Sequence, residues 1–535
     1  MGESMPTFDC YALSQCPSFQ QSKDEGDFAD DATWILTSSF VILTMQTGFG
    51  LVEMGSSMAG WEVHILLKNA ADVFVGAMSY WLLGYGLSFG TPSSPFMGFG
   101  GFDPVAGYDP IESGLRFSQY IFQFSFAATA TTIVSGCIAM RLRFFVYIIY
   151  CFFAVIFYSF VAHWIWADDG WLNTLGAYDH AGGGPVHLFG GINGLVAIIM
   201  VGPRTGMFDG KRTKKSFRAV SPSSQLFGLF MLWWGWIGFN CGSSFGITGL
   251  KWVVATRSAI STVNGSAGGG ITSIIYSYLR TGRKLIKVDH MVVGILGSLV
   301  STTAACSVIN THESILVGAI GAIVSNLVCS LMKYLHLDDP VGGVGVHVGG
   351  GIWGVIAVGI FADASLPGAD VRSGLLHGGG MHQLGLQLLE TVALTGWSLV
   401  TAIPFFYICG IGCSRDWRNP RKGLRMTVEE EMQGADKFLH GLDYFEDYEA
   451  SEESRTPLSG DHVIDSELGN KDTRGDSAQA ESSGNIDLRM SLKRGRRASL
   501  LTLPTSASFR ISGPDCFEEN EASEESRTPL SGDHV

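Results

Sequence analysis

Apolar stretches of about 20 residues, the length that crosses the hydrocarbon core of a bilayer, recur through the first four fifths of this chain. They lie at 33–55, 69–90, 117–138, 144–166, 184–202, 223–240, 252–279, 289–308, 314–335, 343–362 and 383–413. Short polar or glycine-containing connections separate them. The pattern predicts an all-α polytopic membrane protein with eleven transmembrane helices, and an odd number puts the termini on opposite sides. Lys and Arg are retained in the cytoplasm. The basic segments 141–143, 204–218, 280–287 and 415–425 all fall on one face, while the opposite loops carry Asp103, Asp109, Asp168, Asp169, Asp363 and Asp370. The expected orientation is N-terminus outside, C-terminus cytoplasmic. Residues 1–32 then form an extracellular N-terminus, 33–414 the membrane domain, 415–448 a cytoplasmic segment and 449–535 a tail.

Composition agrees with that pattern. Of 535 residues 46% are hydrophobic and 16% charged, with mean hydropathy +0.24, values outside the range of soluble enzymes of this length. The net charge of -14 comes largely from the two ends. Residues 1–32 show no basic region followed by an apolar core, so no cleavable leader is expected, and Pro6 stands where myristoylation prefers Ser or Thr. Among ten cysteines only Cys10 and Cys16 face the oxidising side, which allows one extracellular disulfide within or between chains. No metal-ligand spacing, cofactor fingerprint or nucleic-acid motif is present, and the function classes that need them are not indicated.

The tail, rich in Ser, Glu, Asp, Gly, Thr and Pro, is expected to be disordered. Within it residues 449–463 recur identically as 521–535. The run Lys493-Arg494-Gly495-Arg496-Arg497-Ala498-Ser499 resembles a basophilic kinase site with Ser499 as acceptor, and reads equally as a basic patch drawn to anionic lipid. The ending Asp533-His534-Val535 has the carboxylate and apolar last residue that a PDZ-type groove captures.

The most informative signal lies inside the membrane domain. Asp179-HAGGGPV-His187 and Asp339-PVGGVGV-His347 place an aspartate eight positions before a histidine, twice, 160 residues apart. Each histidine opens an apolar helix, where an ionisable side chain is costly and marks a functional-site hypothesis. A single such histidine reads as well as an interhelical hydrogen-bonding group; two in equivalent positions argue for a shared site at a repeat interface. Helices one to five and six to ten therefore read as a 5+5 inverted repeat with its site near the midplane. Phe126, Trp166, Phe239 and Ser243 sit near helix ends expected to face outside. A ring face beside a hydroxyl traps a small hydrogen-bonding cation, with cation–π attraction of about 0.5–2 kcal/mol; the plainer reading of Trp166 is an interfacial anchor. Asp179 reads equally as a helix N-cap.

Gly55, the run Trp236-IGFNCGS-Ser244, the two Asp–His segments, Asp338-Asp339-Pro340 and Gly423-LRMTVEEEMQGAD together resemble the ammonium transporter family, in its Amt/Mep branch more than its Rh branch. The resemblance runs from about Asp31 to His440. It implies a homotrimer in the plasma membrane with one pore per subunit and ammonium or ammonia as substrate. It also implies a recruitment site of Trp166, Ser243 and Phe126, a phenyl gate of Phe126 and Phe239, and a pore lined by His187 and His347. Asp179 would be a structural carboxylate that orders the vestibule. Residues 423–441 would dock on a neighbouring subunit. The chain departs from the family pattern by a one-residue insertion after Trp166 and by Phe438, which stands where plant members carry a regulatory threonine. The expected function is ammonium transport, with or without a relayed proton; the alternatives are an electroneutral ammonia channel and an ammonium sensor signalling through its tail.

Overall fold

The computed structural model describes residues 17–100, 110–210 and 217–442. Ser499, the duplicated tail segment, the C-terminal Asp533-His534-Val535, Cys10, Cys16, Asp103 and Asp109 lie outside the described residues.

Helices occupy each of the apolar stretches. Pro17–Leu43 is followed, after a break at Thr44, by Met45–Ser56, and then come Glu62–Ser79, Pro110–Cys137 and Phe144–Trp166. The second half runs through Pro222–Gly242, Lys251–Arg280, Val288–Thr303 and Glu313–Tyr334 to the 33-residue helix His382–Ser414. Among the described residues five helical segments are long and apolar enough to cross a membrane, Glu25–Ser56, Phe144–Leu175, Gly183–Val201, Glu313–Tyr334 and His382–Ser414. Mostly helical, with apolar helices of this length, the chain has the build of a multi-pass membrane protein. The one small sheet described pairs Ser93–Ser94 with Met97–Gly98.

Small residues let the helices approach closely, as membrane packing requires. A Cβ on Gly48 would meet the Leu232 side chain, and one on Gly228 would meet the Gly48 carbonyl and Val52. Met45–Ser56 therefore lies directly along Pro222–Gly242. Behind them the bundle buries an acid–base cluster. Lys68 Nζ donates to the Ser135 carbonyl at 3.0 Å, Ser135 Oγ donates to Glu53 at 2.7 Å, and Asp72 accepts from Thr132 and Tyr147, each at 2.7 Å. Each charge is paired or hydrogen-bonded, as burial in a bilayer demands.

The two Asp–His segments fold alike. Gly182 (φ +92°) and Gly342 (φ +77°) take the left-handed region, which glycine enters without steric cost. A π-helical turn follows each, Gly183–Leu188 and Gly345–Gly349, and leads into Phe189–Val201 and Gly350–Phe361. The sequence pattern anticipates the helices but not the π turns, because apolar periodicity does not separate a widened turn from an ordinary one.

Residues 421–440 return as three short helices, Arg421–Leu424, Val428–Gln433 and Ala435–His440. They dock on their own chain. Asp436 caps the helix Glu62–Ser79 by accepting from Val63 N at 3.1 Å and His64 N at 2.8 Å, and Glu431 accepts from Arg425 and from Thr205 N at 2.5 Å.

Candidate functional site

A cavity of about 400 Å³ opens at the end of the bundle where Phe144–Trp166 terminates. Phe126, Trp166 and Ser243 line it together with Gln123, Asp168 and His180. The sequence brings the first three from three different helices. Trp166 is fixed by its Nε1, which donates to the Asp179 carbonyl at 2.8 Å, and its ring meets Phe126 edge-on, centroids 5.7 Å apart. That hydrogen bond ties the tryptophan to one of the Asp–His segments. Ser243 Oγ donates to the Phe239 carbonyl at 2.8 Å, which leaves the oxygen free to accept. His180 Nε2 donates to the Asn240 carbonyl at 3.0 Å, and burial lowers its pKa to about 4, so the imidazole is neutral at physiological pH.

Phe126, which lines the cavity, is one of a pair of phenyl rings. Phe126 and Phe239 stack face to face, centroids 3.9 Å apart and planes 4° from parallel, and both are buried. Beneath Phe239 lies His187, ring centroids 5.7 Å apart. His187 stacks on Trp236 at 4.9 Å, and Trp236 is itself held by its Nε1 donating to Thr303 Oγ1 at 2.8 Å. His187 and His347 then face each other Nδ1 to Nδ1 at 3.3 Å. Two such nitrogens hydrogen-bond only when one donates and the other accepts, so a single proton lies between the rings. His187 Nε2, fully buried, has no hydrogen-bond partner. Phe49 flanks His347 on the other side, centroids 6.3 Å apart.

Two carboxylates build the turns that carry the histidines. Asp179 Oδ1 accepts from Gly182 N at 2.6 Å and Gly183 N at 3.0 Å, and its Oδ2 from Gly184 N at 2.6 Å. Asp339 repeats this one for one, from Gly342 and Gly343, both at 3.0 Å, and from Val344 at 2.8 Å. Both accept from N–H groups that the start of a helical segment leaves unpaired. Burial pushes the Asp179 carboxyl up, and the three N–H groups and Glu390 pull it back only in part.

The six side chains singled out from the sequence, with Asp179, are thus joined by successive contacts from the open cavity to the buried histidine pair. Sequence reading overlooked His180, Gln123, Trp236 and Glu390. Trp236 was legible as part of the Trp236-IGFNCGS segment, and Glu390 as an acid within an apolar helix, a signal in its own right. Among the described residues no group of three His, Cys, Asp or Glu side chains could hold a metal.

Comparison with known proteins identifies the family. Residues 33–445 match the Ammonium Transporter Family. A Caenorhabditis elegans protein named "Putative ammonium transporter 3" is 41% identical over 427 residues, covering 78% of this chain, and this chain spans 60% of that protein's length. An Arabidopsis thaliana protein, ammonium transporter 1 member 2, is 35% identical over 72% of this chain and 78% of its own. The solved structure of a protein titled Sensor Amt Protein superposes with a TM-score of 0.69 at 30% identity, covering 77% of this chain and 98% of that one. Candida albicans Mep2 gives a TM-score of 0.66 at 26% identity, covering 80% and 93%. The resemblance seen in the motifs extends through the whole helical part, and the chain belongs to the ammonium transporter family, whose members are transporters and not enzymes.

Proposed function

We propose that this chain moves ammonium across the plasma membrane by recruiting the ion outside, removing a proton, and passing ammonia inward past His187 and His347. The carrying observation is the stacked pair Phe126 and Phe239, set between an open cavity and two buried imidazoles. The cavity offers ring faces of Trp166 and Phe126 and the Ser243 hydroxyl, which together suit a small cation with N–H donors. Beyond the rings the path is apolar. An intact ammonium ion would meet a desolvation cost of tens of kcal/mol there, whereas ammonia is neutral and small. Desolvation favours the neutral amine by as much as about 3–5 pKa units, so the proton is lost at the gate at little cost near neutral pH. The single proton between His187 and His347 gives the pair one donor and one acceptor, enough to guide ammonia and to pass a proton along.

The same reading carries eleven spans, an outside N-terminus, a cytoplasmic C-terminus, and a homotrimer with one pore per subunit. In it residues 33–414 conduct, 415–448 regulate, and 449–535, with Ser499, form a cytoplasmic tail for kinases or a PDZ-type partner. Likeness to a protein titled Sensor Amt Protein supports a second reading, in which the outer site signals through the C-terminal segment. A receptor needs only the outer site, so the buried histidine pair favours conduction.

Voltage clamp of cells expressing the chain separates these readings. Saturable inward current on ammonium addition marks charge movement; cytosolic alkalinisation without current marks neutral ammonia passage. If neither signal appears, transport is wrong and the sensor reading takes its place.

A further inference from the structure

Behind Asp179, on the face away from the Trp166 cavity, stands a second acid. Glu390 lies in the helix His382–Ser414, is fully buried, and reaches the same point as the aspartate: a Cβ built on Gly184 would lie 2.5 Å from Glu390 Oε1 and 3.3 Å from Asp179 Oδ2. Glu390 Oε2 accepts from Gln387 Nε2 at 2.9 Å. Gln387 is held in turn by Tyr178 N, which donates to its Oε1 at 2.9 Å, and by the Tyr178 carbonyl, which accepts from its Nε2 at 2.9 Å. Glu390 Oε1 has no N–H or O–H donor to satisfy it; what it faces is the Asp179 carboxyl.

Two carboxyl groups in contact in a low-dielectric interior cannot both be ionised. Asp179 takes three backbone N–H bonds that favour its anion, whereas Glu390 takes one amide bond. The proton therefore resides on Glu390 and is donated to Asp179. Tyr158, Tyr178 and Cys306 also interact with Asp179, and the adjacent base His180, held down to about 4 by burial, is neutral and supplies no counter-charge to the pair. Asp179 also lines a second open cavity of about 550 Å³ on the other side of Trp166, with His180, Asp370 and Arg372. The lining of that cavity includes Asp179 and neither of the phenyl rings Phe126 and Phe239.

We propose that Glu390 and Asp179 form a proton-sharing carboxyl pair that takes up the proton released by ammonium in the outer vestibule. The inference rests on the transport reading above. At rest the pair carries one proton and one negative charge. Ammonium gives its proton through vestibule water to the Asp179 carboxylate, leaving neutral ammonia and a doubly protonated, neutral pair; the same oxygens then return one proton to water or pass it toward the histidines. Glu390 makes this uptake reversible, because the new Asp179 O–H lies against a second carboxyl instead of being buried among apolar groups alone.

The test uses the full-length chain and the variants Glu390→Gln and Glu390→Leu. Glutamine keeps the size and offers Asp179 an N–H where protonated glutamate offers an O–H, so a merely structural role survives it; leucine removes both. Infrared difference spectra of the purified protein should lose one protonated-carboxyl band in Glu390→Gln, and that band should respond to added ammonium chloride in the unsubstituted chain. In cells, Glu390→Gln should reach the surface, keep its half-saturating ammonium concentration, and show at least a fivefold lower maximal rate with an altered external-pH profile. Loss of the band with rate and pH profile unchanged would overturn the proton-uptake role, and no band difference would overturn the shared proton. Absence of transport in the unsubstituted chain would instead defeat the transport reading, while the spectra would still decide whether the proton is shared.

Discussion

The Asp179–His187 and Asp339–His347 turns have the same backbone and different surroundings. Each aspartate gathers three N–H groups at the same offsets, and each glycine after it takes positive φ. Behind Asp179 are amides and an acid, Gln383, Gln387 and Glu390, linked by 3.0 and 2.9 Å hydrogen bonds. Beside Asp339 the setting is cationic. Arg204 grips the preceding Asp338 with two 2.8 Å bonds, and Arg141 donates to the Asp338 carbonyl at 2.6 Å. A bidentate guanidinium fixes shape, while a carboxyl pair holds an exchangeable proton. The repeat has kept the geometry that aims the histidines and divided the electrostatics between its ends.

The largest effect should come from stripping either turn of its cap. Asp179→Ala strands three buried N–H groups and Asp339→Ala three partly buried ones, at about 1–3 kcal/mol each when burial is complete, so each variant should lose on the order of 3 kcal/mol. Thermal unfolding in detergent should show comparable losses for the two. Asparagine then separates them: it still accepts hydrogen bonds in both turns, but only Asp179→Asn should alter the external-pH profile of uptake. The carboxyl beside Asp339 is that of Asp338, which Arg204 neutralises, while the one beside Asp179 has no guanidinium bound to it among the described residues. Matching pH profiles in the two Asn variants would erase the distinction drawn here.

Next in size is the histidine pair, the feature the halves build jointly. His187→Ala with His347→Ala should cut ammonium-evoked current or uptake by about a hundredfold, the lower end of what positioned proton transfer contributes. Uptake that persists in the double variant would remove the histidines from the conduction path.

A smaller change is expected at the outer end alone. Trp166→Leu removes a ring face worth about 0.5–2 kcal/mol to a bound cation, which is roughly a two- to thirtyfold rise in half-saturating ammonium with the maximal rate less affected. An unchanged concentration dependence would leave Trp166 as an anchor only.

How much of this was legible in the sequence follows from what each feature leaves in the pattern. The helices and the twin turns were, since apolar runs, glycines and a costly repeated histidine stand out locally. The stacked rings were legible as residues and not as a stack: Phe126 and Phe239 lie 113 positions apart, and only the packing of two helices makes them parallel. Glu390 was passed over because one acid in a 33-residue helix has no periodicity, and its meaning depends on Asp179 reaching it across the bundle. In the cluster of Glu53, Lys68 and Asp72, two charges stand four apart on Glu62–Ser79, but the third joins them from Met45–Ser56, a contact that only the packing of the two helices makes.

The smallest expected effect concerns the arginine-clamped end. Burial by itself would raise the Asp338 carboxyl, but the Arg204 fork, with Arg141 nearby, brings it down to about 2. A folded-state pKa below the ordinary value of 3.8 contributes stability that is complete above that value and is lost as pH falls toward 2. Between about pH 5 and 8 the clamp should therefore add no slope to the unfolding temperature of the purified chain. Transport should vary with external pH over the same range, through Asp179 and Glu390. If Arg204→Lys, which keeps the charge but loses the fork, introduced a pH dependence of transport resembling that of Asp179→Asn, the clamped end would be taking part in proton movement, and the division of labour between the two turns would fail.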